Sequence, residues 1–126
     1  MNLPSSQRFA SINLPHAHTI VGRIVGCVEA QQKRPAEETT LPELLAELDR
    51  LLRPYPEDPP EATAIEVADI AAAIARRLVE EIEKVGYRDD RLGQCIRNLF
   101  ECLGLAEQGA DLSLRCGERP DSPLRP

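Results

Sequence analysis

The 126-residue chain predicts an all-α fold, a compact bundle of about four helices, and three observations carry that prediction. Apolar residues recur at three- and four-residue spacing in four segments, the period of a helix with one buried face. Prolines crowd the first half, at Pro4, Pro15, Pro35, Pro42, Pro54, Pro56, Pro59 and Pro60, whereas residues 61–119 contain none, so helices can run uninterrupted there. The only aromatics are Phe9, Tyr55, Tyr87 and Phe100, which leaves a core built from Leu, Ile, Val and Ala. With 42% hydrophobic residues the chain can bury one modest core, and its length suits one domain.

Residues 1–15 read as a flexible N-terminal arm, with Phe9, Ile12 and Leu14 available to lie on a neighbouring element. The bundle domain spans 16–109. Its first helix covers 17–33, with Ile20, Val21, Ile24, Val25 and Val28 on one face. The β-branched content and Gly22/Gly26 make a strand over 19–28 the competing reading. As a helix, the Gly-x-x-x-Gly pair lets another helix approach closely. The second helix starts at Thr40, Pro42 and Glu43, a Thr-x-x-Glu capping box, and carries Leu41, Leu44, Leu45, Leu48, Leu51 and Leu52 in one stripe. About 12 residues are marginal alone, so this helix must dock on something.

The third helix covers 64–85, about 33 Å, opening with a second box at Thr63 and Glu66 and stopping at Gly86. Val67, Ala71, Ile74, Leu78, Ile82 and Val85 form one face, and Ile65, Ala72 and Ala73 lie beside Asp69 on another. A helix apolar on two sides is sandwiched, here between its own bundle and a second subunit, which makes 64–85 the expected homodimer contact. The fourth helix covers 90–108, with Leu92, Cys95, Ile96, Leu99, Cys102, Leu103 and Ala106 inward and Gly109 as its stop. Residues 110–126, with Pro120, Pro123 and Pro126, read as a mobile Pro-rich tail.

Charge and composition exclude several classes. The net charge is −6, and residues 35–75 hold ten acids against two bases, a block of −8 that a basic partner or a divalent cation would meet. An acidic chain argues against nucleic-acid binding, which would need Arg76, Arg77, Arg88, Arg91 and Arg97 to share a face clear of the acids at 80–83 and 89–90. No stretch approaches the ~20 apolar residues of a membrane span. Residues 1–14 lack a secretory pattern, so a cytoplasmic location with reduced cysteines is expected. Bases are 13 Arg and 2 Lys, a bias common in GC-rich genomes, and a bacterial or phage source is expected.

Sequence motifs for chemistry are sparse. Cys27, Cys95, Cys102 and Cys116 form no CxxC pair. Cys95 and Cys102 share a helix face about 10 Å apart, too far for a disulfide, and read as small core residues. His16 and His18 find no third ligand nearby and read as exposed. The remaining constellation is two carboxylate pairs, Glu43/Glu47 and Glu66/Asp69, each on one side of its helix. Antiparallel packing across the Pro-rich linker would bring four carboxylates together, an oxygen-rich cluster suited to Mg²⁺.

Pro42-Glu43-Leu44-Leu45-Ala46-Glu47, eighteen residues, then Glu66-Val67-Ala68-Asp69-Ile70 resembles, over 41–86, the MazG-like all-α nucleoside triphosphate pyrophosphohydrolases. Their signature is Glu-Glu-x-x-Glu followed by Glu-x-x-Asp on a later helix; Leu44 stands where the second glutamate belongs. The resemblance implies Glu43, Glu47, Glu66 and Asp69 as Mg²⁺ ligands. The residues themselves, with their apolar stripes, acidic block and incomplete active site, favour a non-catalytic protein that binds another protein or itself, as an adaptor, assembly chaperone or inhibitor, with no cofactor.

Overall fold

The aliphatic stripes fold as helices within residues 11–31 and 40–117, the part of the chain that the computed structural model describes. Helix α1 spans Leu14–Gln31, α2 Leu41–Leu52, α3 Glu61–Val85, α4 Asp90–Cys102 and α5 Ala106–Cys116. The expected count of four therefore becomes five among the described residues. Residues 1–10 of the arm and 118–126 of the tail lie outside them.

Residues 19–28 are helix, not strand: Ile20, Val21, Ile24 and Val28 are buried, a helical spacing that a strand would split between two faces. The helix starts three residues earlier than expected because Asn13 caps it. Its Oδ1 accepts from the His16 backbone N–H at 3.0 Å, and Pro15 occupies the first turn. Ile12 and Leu103 form an isolated antiparallel bridge, with the Asn13 N–H donating to the Cys102 carbonyl at 2.7 Å. That ties the start of α1 to the end of α4.

Neither expected capping box forms. Thr40 precedes α2 without a side-chain cap bond, leaving Pro42 and Glu43 in the first turn to favour the start. Helix α3 begins at Glu61 behind Pro60, so Thr63 and Glu66 sit inside the helix. The stop at Gly86 is as expected: φ is +83°, and the Tyr87 N–H bonds back to the Ile82 carbonyl at 3.2 Å, a Schellman closure.

The expected helix over 90–108 is interrupted. Helix α4 is capped by Asp89, whose carboxylate accepts from the Arg91 N–H at 2.7 Å, and ends at Cys102. Gly104 at φ +78° makes a second Schellman turn, with the Leu105 N–H on the Phe100 carbonyl at 2.8 Å. The chain then re-enters a helix, so residues 110–116, expected in a mobile tail, belong to α5. Gly109, expected as a stop, lies inside α5, where a Cβ would stand 2.8 Å from the Phe100 Cβ. Its missing side chain lets the two helices close on each other.

The helices pack as a ring: α1 lies against α2 and α4, α3 against α2 and α5, and α5 against α4. One core fills it, with Leu14, Ile20, Ile24, Leu41, Leu48, Leu78, Ile96 and Phe100 fully buried. Of the second apolar side of α3, Ala72 is buried within the chain, Ile65 is half-buried and Ala73 is exposed. Ile70 remains 48% exposed. No described helix is long and apolar enough to cross a membrane.

Candidate functional site

Helix α1 has open space on both flanks of its outward face. Gly22 and Gly26 are exposed, and a Cβ built on either meets nothing within 4 Å. The Gly-x-x-x-Gly pair therefore admits no described helix of this chain. Between α1 and α2 lies a groove of about 470 Å³. Val21, Val25 and Val28 from α1 and Leu45 from α2 supply apolar lining, and Pro42 and Ala46 complete the α2 wall. Val21, Val28 and Leu45 are themselves core residues, so the groove floor is the edge of the hydrophobic core.

The polar groups sit at its margins. His18 Nε2 and Asp49 Oδ1 are 2.7 Å apart, joining α1 to α2. Arg53, one turn after Asp49, binds the other carboxylate oxygen. The hydrogen bond from His18 and then that from Arg53 hold the Asp49 carboxyl below the ordinary value of 3.8. Glu29 lines the groove from α1. A His–Asp pair orients an imidazole, but the groove's described lining offers no Ser, Thr, Cys or Lys as a nucleophile. What the arrangement provides is an apolar trough with acidic margins. His18, expected as an unremarkable exposed residue, is part of it; its partner is 31 residues away, and no local motif marks the pair.

The four carboxylates singled out by the sequence are placed otherwise. Glu43 and Glu47 are exposed on α2, on the side away from buried Leu41, Leu45, Leu48 and Leu52. Glu66 and Asp69 are exposed on α3, away from buried Ala64, Ala68, Ala71 and Ala75. Packing of α2 on α3 thus uses the leucine and alanine faces and leaves the carboxylate faces outward. Among the described residues, no group of three or more His, Cys, Asp and Glu side chains is placed to hold a metal ion. Of the five arginines considered for nucleic acid, Arg88 donates to the Gly117 carbonyl at 2.6 Å, Arg76 to Gln108 at 2.8 Å, and Arg97 pairs with Glu101 at 3.7 Å.

A second groove, of about 560 Å³, opens on the other flank of α1 against α4. Arg23, Gly26, Cys27 and Ala30 line it from α1, and Arg91, Gln94, Cys95 and Asn98 from α4. All four cysteines are thiols. Burial pushes Cys102 up to about 11 and Cys116 up to about 12, as expected of core thiols. Cys95 is half-buried at the groove rather than enclosed in the core. Compared with known protein families, curated proteins and solved structures, the chain matches none.

Proposed function

We propose that this protein acts by binding another protein, taking a basic amphipathic helix of its partner into the α1–α2 groove. The observation that carries the reading is the groove itself: an uncovered edge of the core, lined by valines and Leu45, wide at Gly22 and long enough to follow α1 from His18 to Glu29. Helix-in-groove recognition needs such a trough for apolar anchors spaced one turn apart. Charge selects the partner's sign. Glu29 and Asp49 line the groove, Glu43 and Glu47 stand outward on α2, and the 35–75 block sums to −8. Lys and Arg flanking the apolar stripe of the incoming helix would meet these acids, which speeds and orients docking.

Fluorescence anisotropy with a short fluorescein-labelled Leu/Lys amphipathic helix tests this. Gly22→Leu adds a side chain on the groove side of α1, where the Cβ meets nothing within 4 Å, and raises helix propensity, so it is expected to block the site while preserving the fold. It is expected to weaken binding at least about tenfold, whereas Gly26→Leu, on the opposite flank, leaves it unchanged. A Leu/Glu helix should bind more weakly than the Leu/Lys one. Equal binding by wild type and Gly22→Leu would remove the groove from the function. Mg²⁺-dependent pyrophosphate release from nucleoside triphosphates, lost in Glu66→Ala/Asp69→Ala, would replace this reading with that of a hydrolase.

A further inference from the structure

We infer that Cys27 and Cys95 form a modification site, a dithiol that peroxide oxidises to a disulfide stapling α1 to α4. The two residues come from different helices, are 68 positions apart in the chain and line one groove, both partly exposed. The helices run antiparallel: the start of α1 is bonded to the end of α4, while residues 23–30 of α1 and 91–98 of α4 share the groove.

Packed helix axes lie about 8–10 Å apart with Cα atoms about 2.3 Å from each axis, so facing Cα atoms approach to about 3.4–5.4 Å, a range that overlaps the ~4.4–6.8 Å a disulfide spans. Within that groove Cys27 and Cys95 are neighbours, close enough for Cys27 to act on the Cys95 thiol. Gly26 and Ala30 beside Cys27 leave the groove open for a small oxidant to enter. Arg23 and Arg91 line the same groove and favour the negative charge that forms on the Cys95 sulfur in the second step.

The chemistry needs only peroxide. Burial, and next the neighbouring Cys27, push Cys95 up to about 11, so Cys95 is a poor first nucleophile and suits the resolving role. The Cys27 thiolate attacks one peroxide oxygen, the O–O bond breaks, and the departing hydroxide takes a proton to leave as water, giving a sulfenic acid. Cys95 then gives up its proton and attacks the Cys27 sulfur; the S–O bond breaks and a second water leaves. Two thiols and one hydrogen peroxide become one disulfide and two waters. Cys102 and Cys116 are buried and take no part. The site lies on the flank of α1 opposite the groove assigned to protein binding, so it stands independently of that reading.

Treating the full chain with hydrogen peroxide and mapping its peptides under non-reducing conditions tests the assignment. The expected product is an intramolecular Cys27–Cys95 link, an intact mass lower by two hydrogens and a higher melting midpoint, all reversed by dithiothreitol. Cys27→Ser and Cys95→Ser should each lose the midpoint shift while melting like the reduced wild type. Oxidation to separate sulfinic acids, a link between other cysteines, or a link between two molecules would each overturn it, as would two unmodified thiols at a peroxide excess that oxidises free cysteine.

Discussion

At the residue scale, Asp49 shows how a site can be absent from the sequence pattern and present in the fold. It accepts from His18 on α1 and Arg53 on its own helix, and both lower its pKa. A carboxylate whose folded pKa is depressed contributes stability that is present above the unfolded value of 3.8 and is lost as pH falls through the lower folded value. The stability difference between wild type and Asp49→Asn, read as melting midpoints, should therefore be present at pH 7 and shrink below pH 3.8. A difference that grows toward acid would assign the carboxyl a raised value instead. The carboxylate is one-third exposed, so the effect is small and weakens in salt. The aliphatic identity of the core was legible from spacing, since Ile20, Ile24, Leu44 and Leu48 fall where the stripes put them. The His18–Asp49 pair was not, because it exists only once α1 and α2 are side by side.

At the element scale, the same glycines that punctuate the sequence do different work in the structure. Gly86 and Gly104 adopt positive φ and end helices, which is the conformational role that glycine signals locally. Gly93 and Gly109 lie in helices and serve contact instead: a Cβ at Gly93 would stand 2.9 Å from the Gly117 Cα, and one at Gly109 2.9 Å from the Arg97 carbonyl oxygen. Helix periodicity carries no information on how closely two axes approach, so 90–108 read as one helix with Gly109 as its end. The true break is the turn at Gly104. On helix propensity alone, Gly109→Ala should stabilise by up to about 1 kcal/mol. The contact with backbone should win, since the Arg97 carbonyl cannot move without shifting α4, and overpacking of this kind costs about 1–3 kcal/mol. Chemical denaturation of Gly109→Ala should show net destabilisation with an unchanged m-value. Gly26→Ala, with nothing within 4 Å, should move the other way.

At the scale of the molecule, the ring of helices makes each end of the described chain depend on the other. Helix α5 closes the circuit, since it is the main link between α3 and α4. Its own contribution to the core is small, chiefly Gly109, Cys116 and half-buried Leu112, yet it covers the side of α4 that carries Phe100. This is why α5 escaped the sequence reading: a helix with so little apolar stripe resembles a solvated segment until its neighbours are known. Uncovering Phe100 alone would forfeit about 1.5–3 kcal/mol of burial. The gap left between α3 and α4 would add to that, out of a total stability of about 5–15 kcal/mol for a domain of this kind. A chain ending at Leu105 should thus melt at a lower temperature with a broader transition and bind a hydrophobic dye, while the full chain melts cooperatively. Equal midpoints for the two would make α5 an appendage on a four-helix core. The α1–α2 groove lies across the ring from α5, so loss of Leu/Lys peptide binding in the shortened chain would further tie that groove's shape to closure of the whole circuit.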